Sequence, residues 1–178
     1  MSEVTESRGR WVIAIISGVI GALLGAGVSF YIFRQQLAFA TKQMQVSLSR
    51  DLAKEFYQET TLYKEFRAAV ESCKPLYKPW KGTFTHGQIN QYLCFFDDLG
   101  FYHKQDALAL EIIDHLFGAH VIEAFEYPEI RKYIALLRTS MDQPEAFKEF
   151  EKLAELIESD PKRQRQVQNA RDACKGKG

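Results

Sequence analysis

Trp11–Phe33 reads WVIAIISGVIGALLGAGVSFYIF, twenty-three residues without one charged side chain. As an α-helix the run measures about 34 Å, against about 30 Å for the hydrocarbon core of a bilayer. Backbone polar groups find no water there, so a single apolar run of this length must be helical. It reads as a transmembrane anchor. A cleaved signal peptide fits less well, although Arg8 and Arg10 precede the run and Ala38-Phe39-Ala40 has the form of a cleavage site. A signal h-region spans about 7–15 residues, and here Arg34, Gln35 and Gln36 stand between the run and that site. Trp11 and Tyr31 suit the two interfacial aromatic belts.

Small residues fall in register within the run. Ser17, Gly21, Gly25 and Ser29 recur every four residues, with Ala14, Gly18, Ala22 and Ala26 alongside. That smooth ridge, centred on Gly21-x-x-x-Gly25, is the expected face for association with a second copy in the lipid bilayer.

Working outward, the expected fold class is all-α. A ten-residue N-terminal flank (1–10) precedes the single transmembrane helix (11–33), which continues into a helical stem (34–73). A small helical-bundle domain (74–160) and a basic tail (161–178) follow. No Gly or Pro occurs from residue 28 to 74, so nothing breaks the helix there. Phe56, Tyr63, Phe66, Val70 and Cys73 recur at helical spacing, interrupted near Glu59. This favours packing of that face on the domain over a coiled-coil seam. Pro75, Pro79 and Gly82 mark a loop, in which Trp80 is either a core plug or an interface anchor.

Thr85 to Gln88 has the pattern of a capping box, opening a helix with Ile89, Tyr92, Leu93, Phe96 and Leu99 on one face, expected to end at Gly100 to His103. Asp106 is the expected N-cap of the next helix, which carries Ile113, Phe117 and Val121 inward. Pro128 suits the first turn of a further helix with Tyr133, Ile134 and Leu137. Asp142-Gln143-Pro144 is expected to open the last one, with Phe147, Phe150, Leu153 and Ile157 inward, closed by Asp160-Pro161. No segment alternates at period two, so no sheet is expected.

Net charge is zero but divided: residues 161–178 carry +5 and residues 1–160 carry −5. An acidic body argues against nucleic-acid binding. The basic tail is expected either near an anionic leaflet or solvated. Cys73, Cys94 and Cys174 are odd in number and lack metal-ligand spacing, so a reducing compartment is expected. Arg34, Lys42 and Arg50 slightly outnumber Arg8 and Arg10, which places the C-terminal domain in the cytoplasm, at the cell inner membrane.

The densest polar region runs through Asp97, Asp98, His103, Asp106, Glu111, Asp114, His115, His120 and Glu123. Glu111 and His115 share a helix face, yet the paired Glu-x-x-His helices of di-iron bundles are missing, as are the zinc, nucleophile-elbow, P-loop and dinucleotide motifs. Adjacent Asp97 and Asp98 diverge by about 100° on a helix and cannot share a proton, so one is expected to cap locally while the other faces solvent. His120, between Phe117 and Val121, reads as a satisfied core histidine. No catalytic residue, metal ligand or cofactor is assigned.

Asn90-x-x-Leu93-x-Phe95-Phe96-Asp97-Asp98-Leu99-Gly100, then Ile112 to Val121, then Pro128-x-Ile130-x-x-Tyr133-Ile134, resembles the DUF4760-like small bacterial membrane-anchored helical proteins. The resemblance covers about residues 40–140. It implies a helical domain of unknown function behind an N-terminal membrane helix, and no activity. The resulting expectation is a single-pass membrane protein that acts by binding an as yet unknown protein partner and self-associates. The alternative is a membrane-tethered enzyme or metal or ligand sensor built on Asp97 to Glu123.

Overall fold

In the computed structural model the described chain is all-helical. The backbone is described for residues 3–59 and 61–174, and side chains for residues 29–58 and 61–174. The chain divides into two units, residues 1–44 and 45–178.

The first unit lies within α1 (Glu3–Lys54). Up to residue 28 the apolar run Trp11–Phe33 lies outside the described side chains, and so do Ser17, Gly21 and Gly25 of the association face; Ser29 is described and exposed. Among the described residues no helix is long and apolar enough to cross a membrane. Phe30, Tyr31, Ile32 and Phe33 are 49–64% exposed, and Leu37 and Phe39 are exposed as well. The Arg34 guanidinium sits 5.2 Å from the centre of the Phe30 ring.

The second unit begins with the last turns of α1, where Leu52 is buried. A π-helical turn (Glu55–Glu59) follows, at the point where the periodicity breaks, and then α2 (Thr61–Glu71). The wider turn delivers Phe56, fully buried, into a nest of rings from Tyr63, Tyr92, Phe95, Phe96, Phe117 and His120, with Phe95 stacked at 4.8 Å. Arg67 completes the turn: its Nη1 donates to the Phe56 carbonyl at 3.0 Å while its guanidinium covers the Phe56 ring at 4.5 Å. Truncating such a residue costs about 3–5 kcal/mol. The expected inward face of Phe56, Tyr63, Phe66 and Val70 is buried as its spacing predicts.

Cys73 then ends α2. Its N–H donates to the Val70 carbonyl and the Lys74 N–H to that of Ala69, the paired bonds of a Schellman stop, with Cys73 at φ 54°. The loop beyond is held by Glu129, whose two carboxylate oxygens accept the backbone N–H groups of Leu76 and Tyr77 at 2.9 and 2.7 Å. Trp80 is half-buried in this loop, edge-on to Tyr77 and beneath Lys132 Nζ at 4.3 Å.

Helix α3 (His86–Lys104) starts with the expected capping box: Thr85 Oγ1 accepts from Gln88 N–H and Gln88 Oε1 accepts from Thr85 N–H. It ends at Lys104, one residue past the expected Gly100 to His103, and α6 (Lys148–Glu158) crosses it so closely that a Cβ on Gly100 would lie 2.4 Å from the Glu149 carbonyl oxygen. Asp106 is not the N-cap of α4 (Leu110–Glu126). It takes φ 56° and, with Asp106 N–H on His103 and Ala107 N–H on Tyr102, forms the Schellman stop of α3. Likewise Asp142, at φ 52°, follows the cap of α5 (Pro128–Ser140) and does not open α6. Phe147 occupies the N-cap of α6 with no side-chain bond of its own.

The basic tail is structured between Pro161 and Ala173, with most of its side chains exposed. A 3-10 turn (Pro161–Arg163) leads into α7 (Gln164–Ala173), which packs on α4 with Val167 buried in the core. The expectation that the cysteines form no disulfide is corrected. Cys73 and Cys174, 101 residues apart, form a disulfide with Cα atoms 5.5 Å apart, and Cys94 is left free and exposed.

Candidate functional site

The polar residues expected to group between Asp97 and Glu123 do not converge. Asp97 Oδ1 accepts the Phe150 N–H at 2.9 Å, capping α6. Asp114 serves Arg163, His103 Nδ1 lies 3.3 Å from the Leu108 carbonyl, and His120 faces Glu123. Glu111 and His115 join no ligand set: among the described residues no group of three or more His, Cys, Asp or Glu is placed to hold a metal ion. His120 packs against Phe56 and Tyr57, as a core histidine should, but it is not satisfied. Its Nδ1 is buried without a hydrogen bond, with Glu123 Oε2 at 3.4 Å.

Beside the π-helical turn, Glu55, Tyr63, Cys94, Asp98 and Tyr102 line a polar recess of about 270 Å³. Burial, and then the charges of Asp98 and Asp97, push the Cys94 thiol up, which keeps it protonated and a poor nucleophile near neutrality. Burial, and then Asp97, raise the Asp98 carboxyl. Burial, and then Glu55, push the Tyr63 hydroxyl up to about 12. Every shift favours a neutral form, the opposite of an activated nucleophile.

What the fold does assemble is the seat of α7. The Arg163 guanidinium bonds Asp114 Oδ1 at 2.9 Å, the Asp114 carbonyl at 2.8 Å and Gln166 Oε1 at 2.7 Å. Gly118 leaves room for this fork, since a Cβ there would lie 2.3 Å from Asp114 Oδ1. At the other end of α7, Arg171 Nε donates to Glu126 Oε1 at 3.0 Å, and Arg131 reaches the same oxygen at 2.8 Å. Glu126 is the buried charged residue of the domain, so two guanidinium partners are what its burial requires.

Glu158 faces the same cluster, with Oε2 3.5 Å from Arg171 and Oε1 buried without a partner. Burial, and then the neighbouring Glu126 carboxylate, push the Glu158 carboxyl up to about 7 against the pull of Arg171 and Arg131.

Between α2, α4 and α7 a cleft of about 300 Å³ remains. Val70, Ala170, Ala173 and Cys174 supply its apolar lining, while Glu71, Glu123, Gln166 and Asn169 supply polar groups. The sequence reading missed Glu126, Glu158, Arg131, Arg163 and Arg171. The signal was present in the +5 tail behind a −5 body: two of the tail's cations, Arg163 and Arg171, pair with the domain's own carboxylates.

Architecture and site together define an all-helical domain built around an aromatic nest and closed by a clasped C-terminal helix, with no group of three or more metal-ligating side chains among the described residues. The chain belongs to the family described as "Domain of unknown function (DUF4760)", whose model matches residues 13–157. Helix α7, with Arg163, Arg171 and Cys174, follows the matched segment. Comparison with curated proteins and with solved structures found no match.

Proposed function

We propose that the chain is a single-pass membrane-anchored protein whose helical domain acts as a protein-interaction module. The observation that carries the anchor is the exposure of Phe30, Tyr31, Ile32 and Phe33, four consecutive large apolar residues at 49–64% accessibility, at the end of the uncharged run from Trp11. Exposed apolar runs of this kind demand a cover, and lipid covers a single helix on every side. The interaction role rests on a domain whose polar residues hold helices together and leave no activated group, while Tyr57, Phe101, Met141 and Leu156 remain exposed on its surface. Self-association through Ser17, Gly21, Gly25 and Ser29 belongs to the same proposal, because close helix packing replaces the hydrophobic effect in lipid.

The test is fractionation of the full chain after alkaline carbonate treatment. Retention in the membrane pellet, lost when Ile15 and Leu23 are both replaced by Arg, supports the anchor; release of the wild-type chain into the supernatant overturns it. In a membrane two-hybrid reporter the isolated anchor carries the second test. Gly21→Ile reduces the signal and Leu23→Ile leaves it, whereas equal signals from wild type and Gly21→Ile remove the association face.

A further inference from the structure

We infer that the domain folds on the oxidising side of its membrane, where a thiol oxidant closes Cys73 onto Cys174 and so fastens the end of α7 to the end of α2 beside the cleft that Cys174 helps to line. The inference rests on the anchor reading for its membrane and on the pairing of Cys73 with Cys174 for its side.

First, the two cysteines are brought together from 101 residues apart to a Cα separation of 5.5 Å, inside the narrow range that a disulfide needs. Such bonds persist in oxidising compartments and are rare in a reducing cytosol. Second, Cys73 occupies the position after the α2 cap that ordinarily belongs to Gly, at φ 54°. A left-handed residue with a Cβ costs about 1–2 kcal/mol; here that conformation accompanies the bridge. Third, Cys174 directly follows the last residue of α7, whose other ties, Arg163 to Asp114 and Arg171 to Glu126, already seat the helix in register for the bond. Against this side stands one residue of flanking charge: within about 15–20 residues of the run, where such charge acts, Arg8 and Arg10 face Arg34, Lys42 and Arg50.

The chemistry is an exchange with a protein dithiol–disulfide oxidant. One cysteine loses its proton and its thiolate attacks the oxidant's disulfide, forming a mixed disulfide and releasing one oxidant thiolate. The second cysteine, deprotonated in turn, displaces the other oxidant sulfur. Two protons and two electrons leave the pair, and the oxidant ends as a dithiol.

The test uses the full chain made in a bacterium with an oxidising periplasm. Cells are quenched in acid, denatured and treated with a maleimide-polyethylene glycol, with and without prior reduction. The expected pattern is one adduct before reduction, on Cys94, and three after; Cys94→Ser should give none and then two. Three adducts before reduction overturn the proposal. Sidedness is read on Cys94, which is exposed. A membrane-impermeant maleimide added to spheroplasts should block it, and protection until lysis overturns the assignment. Carbonate extraction of the same cells reports the anchor separately. A chain that is released but still bridged overturns the membrane reading, whereas a retained chain with three free thiols overturns the sidedness.

Discussion

Asp97 on α3 caps α6: its Oδ1 accepts the Phe150 N–H at 2.9 Å, across 53 residues of chain. Phe147, at the N-cap itself, has a hydrocarbon side chain and a left-handed backbone, so it offers the first turn no acceptor. A carboxylate there also meets the positive end of the helix dipole. Of the expectation for the two neighbouring acids, Asp98 is exposed as expected, whereas Asp97 caps a helix far along the chain and not locally.

Asp97→Ala should therefore lower the unfolding free energy by about 1–2 kcal/mol, the range of a lost cap. Asp97→Asn should recover part of that, because the amide oxygen still accepts. Urea denaturation of the three chains checks it, and an Ala variant as stable as wild type would show that the bond contributes nothing.

Gly100→Ala should destabilise by more than about 2 kcal/mol, the scale of overpacking against atoms that cannot yield. The added Cβ meets Glu149 backbone at 2.4 Å, and moving it would pull α6 off α3. Gly87 is the control: nothing lies within 4 Å of its Cβ position, so Gly87→Ala should be neutral or gain up to about 1 kcal/mol. Thermal melts of the pair, compared with wild type, separate crowding from helix propensity.

The Glu158 carboxyl gives the domain a pH dependence near neutrality. Its folded value of about 7 lies above its ordinary value, so the neutral form is the one the fold prefers. The stabilisation is complete below the unfolded value and is lost as pH rises through about 7. After solvent screening it amounts to roughly 1–2 kcal/mol, or about 4–8 °C in Tm. Tm should fall between pH 5.5 and 8, and Glu158→Gln, neutral at every pH, should flatten that slope. Glu126, Arg131 and Arg171 are the charged groups facing Glu158, and none of them is changed in this comparison.

Cys174→Ser should lower the unfolding free energy by about 2–4 kcal/mol, since a bridge over so long a loop restricts the unfolded chain strongly. Reduction of the wild-type protein should lower it by a similar amount and leave Cys174→Ser unmoved. A variant equal to wild type in denaturant would mean that the arginine ties alone seat α7.

Helix faces were legible from the chain because side-chain periodicity is a local property. Phe56, Tyr63, Phe66 and Val70 are buried where their spacing put them, and so are Ile89, Tyr92, Leu93, Phe96, Leu99, Phe150, Leu153 and Ile157. The Thr85–Gln88 box and the Pro128 start are local for the same reason, each complete within four residues. Where the helices stop was legible to within a residue or two, but not which residues make the stops. Cys73, Asp106 and Asp142 hold left-handed positions where a reader looks for Gly, and Asp serves equally at an N-cap or in a left-handed turn.

The uncharged run at Trp11–Phe33, the all-helical class and the opposed charges of body and tail are properties of the sequence itself, since each depends only on which residues are neighbours. The pairing of Cys73 with Cys174, of Arg171 with Glu126 and of Arg163 with Asp114 spans 101, 45 and 49 residues. Only the return path of α6 and α7 over α4 decides those partners, because an ion pair or a disulfide needs its atoms within a few ångströms and composition carries no record of that distance.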